Sequence, residues 1–270
     1  MSAALARLRA FLAAASGVAL VEVREAKGST PREAGAWMLV SPGGIFGTIG
    51  GGQLEFMAID RAREMIAAGT PATDLIDIPL GPEIGQCCGG RVVVDIALVD
   101  DALRAAIPQR IECEEALRPA AFIFGGGHVG HALADALSLL PLAVTVVETR
   151  ADQIRALPEG VEARVVAMPE AVVREAPAGA AFLVLTHDHA LDFLIVAEAL
   201  RRPDAAYVGM IGSKTKRATF ASWYLKEAGG GEAALSRLVC PIGGSGVKDK
   251  RPAVIAAMAA AEVMRALAAA

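Results

Sequence analysis

Aromatic residues make up only 4% of this 270-residue chain, and cysteine and histidine occur four times each. So few cysteines exclude a disulfide framework, because dense disulfides belong to much shorter secreted domains. A net charge of −4 gives no footprint for general nucleic-acid binding, which would need a basic face. No apolar run reaches the length of a membrane span. These absences favour a cytoplasmic protein with reduced thiols, whose partners include neither nucleic acid nor membrane.

The chain is rich in aliphatic residues, and these suffice for a sizeable core without disulfides or metal. Residues 1–17 have leucines at helical spacing and predict an amphipathic helix rather than a signal peptide. Short β-branched runs and one helical pattern follow, and from residue 120 strand and helix patterns alternate. Such alternation is typical of a parallel, doubly wound sheet. We therefore predict an α/β protein with a mixed α/β domain (1–100), a linker (101–119) and a Rossmann-like domain (120–270).

The sequence AFIFGGGHVG, at residues 121–130, matches the dinucleotide-binding pattern G-x-G-x-x-G. It follows a strand pattern and opens a helical one, which is the context that this motif requires. Such a turn lets a phosphate approach a helix N-terminus. Glu148 ends the next strand, where Rossmann proteins bind a ribose hydroxyl, although it could simply terminate that strand. The candidate binding residues here are Gly125, Gly126, Gly127, His128, Gly130 and Glu148, and His128 could equally point to solvent.

Three further loops follow predicted strands in this half of the chain. Thr186, His187 and Asp188 suit acid–base or polar contacts, although Thr186 or Asp188 could instead cap the next helix. Cations cluster at the start of another predicted helix, where the helix dipole opposes positive charge. A bound anion would resolve that conflict, and a solvated basic face is the alternative. The candidate anion-binding residues are Ser213, Lys214, Lys216 and Arg217, together with Gly243 and Lys248 in the last glycine-rich loop.

The N-terminal half carries two glycine-rich candidate loops of its own. Gln53 and Glu55 follow the first and open a helix. In the second, Gln86 precedes Cys87 and Cys88, and glycines flank all three. Buried, inert cysteines are the usual finding, but a glycine loop is a poor core position. An accessible thiol or a soft-metal ligand is therefore a candidate role for either cysteine.

The motifs occur in an order that resembles the XdhC/CoxI family of xanthine dehydrogenase accessory proteins. They are GSTPREAGAWMLV, GTIGGGQLE, LGPEIGQCCGGRV, FGGGHVG, LTHDHALD, GMIGSKTKR and CPIGG with KDKRPAVIAAMAAAE. The GGSGVKDKRP loop departs from the family by lacking a second Ile-Gly. The resemblance implies a non-enzymatic chaperone, expected to be a homodimer, that binds the molybdenum cofactor, a pterin with a dithiolene-held molybdenum and a phosphate. Such a chaperone supports sulfuration by a cysteine desulfurase and inserts the cofactor into the molybdenum subunit of apo-xanthine dehydrogenase.

The residues fit that cargo in three respects. Several loops suit anions, Cys87 and Cys88 are candidate molybdenum ligands, and loops on both halves could line a cleft. Two alternatives remain. The acceptor could be an aldehyde oxidoreductase or carbon monoxide dehydrogenase, with a nucleotide-bearing form of the cofactor. An NAD-dependent oxidoreductase explains only the glycine fingerprint and Glu148, and leaves the thiols and basic loops unexplained.

The glycine-flanked thiols lead to a first prediction. Cys87→Ala is expected to weaken retention of the cofactor more than Cys113→Ala, because a thiolate in an accessible glycine loop is the better soft ligand. Molybdenum content of the two purified variants is the measurement. Equal molybdenum retention by both would contradict a ligand role for Cys87.

Overall fold

The computed structural model describes residues 2–81, 89–244 and 246–269. Three predicted site residues, Gln86, Cys87 and Cys88, lie outside the described residues. The chain divides into two compact units, Met1–Glu114 and Glu115–Ala270. In the described residues, no helix has the length and apolar character needed to cross a membrane.

The first unit is a five-stranded antiparallel sheet in the order β3-β2-β1-β5-β4. Alternate residues of β1 point to opposite faces, as the two-residue period of a strand requires. Val21 and Val23 pack with α2 on one face, whereas Leu20 packs with α1 and α3 on the other. Its elements are α1 (Ala3–Ala14), β1 (Ala19–Lys27), β2 (Trp37–Ser41), β3 (Gly44–Gly47), α2 (Gly52–Ala68), β4 (Thr73–Pro79), β5 (Arg91–Leu98) and α3 (Asp101–Ala116).

Helix α3 occupies most of the segment 101–119, which the sequence predicts to be a linker. Its Ile107 and Ile111 are buried in the core that α1 and one sheet face share. The two units divide between Glu114 and Glu115, near the end of this helix. The segment has a charged exposed surface and only a narrow apolar face, which explains its linker-like sequence.

The second unit holds a six-stranded, wholly parallel sheet in the order β11-β10-β9-β6-β7-β8. Counted from β6, this is the 3-2-1-4-5-6 order of dinucleotide-binding folds, so the predicted fold class is confirmed. Its elements are β6 (Ala120–Phe124), α4 (His128–Ser138), β7 (Ala143–Glu148), β8 (Glu162–Val165), α5 (Pro169–Glu175), β9 (Ala181–Val184), α6 (His189–Arg201), β10 (Tyr207–Met210), α7 (Lys214–Lys226), α8 (Glu232–Ser236), β11 (Leu238–Val239) and α9 (Pro252–Ala268).

Helices cover both faces of this parallel sheet. Leu133 of α4 and Val263 of α9 are buried on one face. Val172 of α5, Ile195 of α6 and Phe220 of α7 are buried on the other. The strand order reverses between β6 and β9, and ligands of open α/β sheets bind outside the carboxyl ends of the strands at such a point. A ligand site is therefore expected at the loops that follow β6, β9, β10 and β11.

Candidate functional site

The four loops at residues 125–128, 185–188, 211–214 and 240–244 follow neighbouring strands, and we call them the carboxyl-edge loops. Backbone hydrogen bonds continue from the strands into these loops, so the loops lie side by side. The bonds run from Leu185 N to Phe124 O at 2.9 Å, from Ile211 N to Val184 O at 2.9 Å and from Ile242 N to Met210 O at 3.3 Å.

Two glycines of the fingerprint are required by the packing of the chain itself. Gly125 has φ of +118°, and a β-carbon there would overlap the backbone carbonyl of Leu185. A β-carbon on Gly130 would overlap the carbonyl of Gly125. The first glycine therefore makes the turn and the last allows helix α4 to pack closely, as in dinucleotide-binding folds.

Gly126 and Gly127 differ in what lies beside them. A β-carbon on Gly126 would lie 2.5 Å from the carbonyl oxygen of Gln153, which also lies 2.9 Å from His131 Nε2. No atom lies within 4 Å of the corresponding position on Gly127. Gly127 is the N-cap of α4, so no side chain caps this helix. The first turn of α4 also contains no acidic residue. The start of α4 at Gly127 is thus open to an anion.

The Glu148 carboxylate accepts hydrogen bonds from backbone N–H groups of its own chain. It is 5% exposed, and its Oε2 accepts from Gly126 N at 2.9 Å while its Oε1 accepts from Thr149 N at 2.8 Å. Burial favours a higher pKa, but backbone N–H groups of Gly126, Thr149 and Arg150 outweigh it and hold the pKa of Glu148 below its ordinary value. Glu148 thus positions the glycine loop, and the ribose contact that the sequence suggests stays a prediction.

Thr186 and Asp188 shape the loop after β9, and His187 between them is exposed. Asp188 caps α6 by accepting from Ala190 N at 2.8 Å. The Thr186 hydroxyl lies 2.7 Å from Asp192 Oδ1, and Thr186 N donates to the same oxygen at 2.9 Å. The capping alternative therefore holds for Asp188. Within the described part of the chain, His187 has no hydrogen-bond or ion-pair partner and remains a ligand candidate.

A buried ion pair joins the first turns of α6 and α7, the helices that follow the loops after β9 and β10. The Lys216 ammonium pairs with Asp192, and their side chains are 9% and 0% exposed. Lys216 therefore does not offer the free charge that the sequence predicts, because Asp192 neutralises it inside the protein. Ser213 caps α7 by accepting from Lys216 N at 3.2 Å. Ser213 and Lys216 thus stabilise the start of this helix.

Lys214 and Arg217 retain free positive charge at the start of α7. Lys214 is exposed and Arg217 is half-buried, and neither has an acidic partner among the described residues. The first turn of α7 also contains no acidic residue. The conflict between cations and the helix dipole is therefore reduced to these two side chains, and a bound anion would relieve it.

Cys240 and Asp192 belong to this edge, although sequence reasoning assigned neither a role. Cys240 is half-buried, and burial raises the pKa of its thiol, although nearby Lys216 and Arg217 oppose that rise. Their presence in the motifs LTHDHALD and CPIGG was the available signal. Across residues 2–81, 89–244 and 246–269, no group of three or more His, Cys, Asp or Glu side chains could hold a metal ion.

The loop after β11 is fixed by Glu262 of α9. Its Oε2 accepts from Gly243 N at 2.9 Å and from the Tyr207 hydroxyl at 2.8 Å. Burial and the Glu262 charge raise the pKa of Tyr207, so the phenol stays protonated and donates. The backbone N–H of Gly243 is therefore already hydrogen-bonded within the protein, whereas Lys248 further along the loop is exposed.

In the first unit, Glu55 plays a role similar to that of Glu148. Its Oε2 accepts from Ile49 N at 2.9 Å and from Gly51 N at 3.1 Å. Burial favours a higher pKa, but the Thr48 hydroxyl and the loop N–H groups lower the pKa of Glu55. The carboxylate thus fills the position that an anion would take in this loop. Gln53 is exposed beside it.

Comparison with known families gives the assignment. The family described as the XdhC Rossmann domain matches residues 121–263, and the XdhC and CoxI family matches residues 11–78. The chain belongs to the XdhC family.

One curated sequence and one solved structure are similar to this XdhC-family protein. It is 24% identical over 263 residues to the uncharacterized protein YqeB of Escherichia coli, covering 92% of this chain and 43% of YqeB. The chain thus spans less than half the length of that curated relative. The crystal structure of a xanthine dehydrogenase from Bacillus halodurans shares the fold, with a TM-score of 0.78 and 19% identity. That match covers 100% of this chain and 96% of the other.

The partners of Glu148 lead to a stability prediction. Glu148→Gln is expected to lower the free energy of unfolding at pH 7 by about 2 kcal/mol, because its amide NH₂ must face one of the backbone N–H groups. Since the folded-state pKa is lowered, the wild-type advantage is full above the ordinary value of 4.5 and is lost as pH falls through the folded-state pKa. Urea unfolding from pH 7 to pH 3, with exposed Glu159→Gln as control, measures it. A pH-independent difference would contradict this role.

Proposed function

We propose that this protein carries the molybdenum cofactor as cargo at its carboxyl-edge loops, supports sulfuration of the cargo, and delivers it to apo-xanthine dehydrogenase. Family membership supports the accessory role in maturation. The proposed partners are a cysteine desulfurase, the molybdenum subunit of the acceptor enzyme and a second copy of this chain.

One observation carries the proposal for the site. The open start of α4 at Gly127 and the free cations Lys214 and Arg217 at the start of α7 follow strands of the same sheet edge. Both helix starts lack acidic residues. Helix N-termini and cations together favour an anionic ligand, and the proposed cargo has a phosphate and an oxyanionic molybdenum centre.

The described residues also indicate how such a cargo would be held. They contain no cluster of metal ligands, so in that part of the chain the contacts would be hydrogen bonds and ion pairs to the anionic groups of the cargo rather than direct bonds to molybdenum. The sequence-based ligand role of Cys87 and Cys88 remains a prediction outside the described residues. Ser213 caps the helix start that carries the free cations, and Thr186 fixes the loop that carries His187.

The same geometry weighs against a nicotinamide dinucleotide. Glu148, which would contact the ribose, is buried and accepts hydrogen bonds from its own loop. The Gln153 carbonyl lies directly against Gly126, beside the glycine turn. A ribose contact with Glu148 would therefore compete with the loop N–H groups for this carboxylate, whereas an anion at Gly127 would not.

The proposal is tested with protein purified from cells that make the cofactor. We expect stoichiometric molybdenum and pterin, and activation of apo-xanthine dehydrogenase that increases when a cysteine desulfurase and its substrate are added. Titration with NADH serves as the competing arm. Tight NADH binding with turnover of an alcohol or aldehyde, and no pterin in the purified protein, would overturn the proposal.

Two neighbouring glycines give a matched test of ligand binding at the carboxyl-edge loops. Gly127→Ala is expected to leave stability within about 1 kcal/mol, because alanine fits there, but to weaken cofactor binding by occupying the open helix start that an anionic group of the cargo would approach. Gly126→Ala is expected to cost about 1–3 kcal/mol of stability through overlap with Gln153. Urea unfolding and cofactor titration of both variants measure these effects. Unchanged binding by Gly127→Ala would show that ligand does not approach there.

A further inference from the structure

A cavity of about 580 Å³ lies in the second unit at the ends of β10 and β11. Loop residues 211–212, 241–244 and 247–250 line it, together with the first turns of α9. Its size falls within the range of small-molecule sites. Gly212 directly precedes the Ser213 cap of α7, so the cavity continues from the edge that carries Lys214.

The walls of the cavity are apolar. Val254, Ile255 and Met258 line it from one side of α9, as helical spacing places them. Ile211 and Ile242 line it from the strand ends. Ile242 and Ile255 also belong to the core between α9 and the sheet, which gives the wall a rigid backing. Such walls suit the faces of a planar ring system better than they suit a hydrated ion.

The mouth of the cavity carries a net positive charge. Asp249 is paired with Arg251, with Oδ2 at 2.6 Å from Nη2 and 2.9 Å from Nε, and this pairing lowers the pKa of Asp249. Lys248 and Lys250 are exposed, and the described residues give neither of them an acidic partner. Helix α9 starts at Pro252 without a side-chain cap and without an acidic residue in its first turn. Two ammonium groups and a helix start thus favour an anion at this mouth.

We infer that this cavity binds a planar heterocycle that carries a phosphate, with the ring between the apolar walls and the phosphate at Lys248 and Lys250. The inference rests on the proposed function in one respect, since the pterin phosphate of the cargo has this chemistry. A free purine mononucleotide has it too. In this arrangement the phosphate end of such a ligand lies toward the start of α9.

Calorimetric titration of the full chain with a pterin monophosphate, GMP and inorganic phosphate tests the inference. We expect at least one heterocyclic monophosphate to bind about tenfold or more tighter than inorganic phosphate. The double variant Lys248→Ala/Lys250→Ala should weaken that binding about tenfold or more. Met258→Trp should weaken it similarly by filling the cavity. Lys226→Ala, at an exposed lysine at the other end of α7, is the matched control and should bind as wild type.

Each outcome bears on the cavity. Tighter binding of the pterin monophosphate would identify the cofactor cargo as the ligand of the cavity, whereas equal or tighter binding of GMP would identify a nucleotide. Both results support the cavity as a binding site. Inorganic phosphate binding as tightly as the heterocycles would overturn it, as would failure of both heterocycles to bind. Unchanged binding in the lysine double variant would also overturn it, and those exposed positions test it even if Met258→Trp misfolds. Cofactor carriage with these negative results would refute the cavity alone, and cavity binding without cofactor carriage would refute the proposed function alone.

Discussion

Replacing Asp192 by alanine is expected to lower the free energy of unfolding of the second unit by about 3–5 kcal/mol. Asp192 is fully buried, and its removal leaves the Lys216 ammonium, itself 9% exposed, without a counter-charge. Thr186 loses the acceptor of its backbone N–H and its hydroxyl partner at the same time. Urea unfolding of the variant and the wild type at pH 7 measures the loss.

A mutant cycle separates the charge from the packing. The double variant Asp192→Leu/Lys216→Met removes both charges and is expected to be substantially more stable than Asp192→Ala, because the largest cost is the unpaired buried charge. Glu159→Ala, at an exposed position of the same unit, should change stability by less than about 0.5 kcal/mol. An Asp192→Ala variant within about 1 kcal/mol of wild type would contradict the burial of this pair.

Reversing the charge of both free cations of α7 is expected to weaken cofactor binding about 100-fold or more. In Lys214→Glu/Arg217→Glu, two attractive contacts become repulsive, and each charged hydrogen bond is worth about 1.5–3 kcal/mol. Lys216 is left intact because it is neutralised within the protein. Cofactor titration at low and high salt is the measurement, and wild-type affinity should fall as salt rises.

The control for this variant is Lys226→Glu, which changes an exposed lysine in the last turn of the same helix. It should bind the cofactor within about twofold of wild type. Affinity of the Lys214→Glu/Arg217→Glu protein equal to wild type at low salt would identify these side chains as an ordinary solvated face of the helix. Unchanged thermal unfolding of both variants would confirm that the comparison reports binding.

Much of the fold was predictable because the relevant signals are local. The glycine fingerprint follows a strand and opens a helix, and the structure places β6 and α4 there. Apart from α3, the elements that the sequence did not indicate are short. Helix α5 has seven residues, α8 has five and β11 has two, so none repeats a periodicity long enough to detect. Helix α3 was predicted as linker because its exposed surface is charged.

The site was less predictable, since the roles of its residues depend on partners far along the chain. Glu148 meets Gly126 across 22 residues, and Lys216 meets Asp192 across 24. Residue type and loop position suggested ligand contacts for both Glu148 and Lys216, and only the fold shows that each is already paired. The binding roles of all the candidate site residues remain predictions, including those of Gly127, His128 and His187.

Hydrogen–deuterium exchange of the free and cofactor-loaded protein tests the central claim most directly. We predict that loading slows exchange in peptides covering residues 125–131 and 211–217, because the cargo is proposed to bind at these two loops. Helix α3 in the first unit serves as an internal reference and should exchange equally in both states. Binding of the cofactor without protection of either loop would contradict the assignment of the site to the carboxyl edge of the parallel sheet.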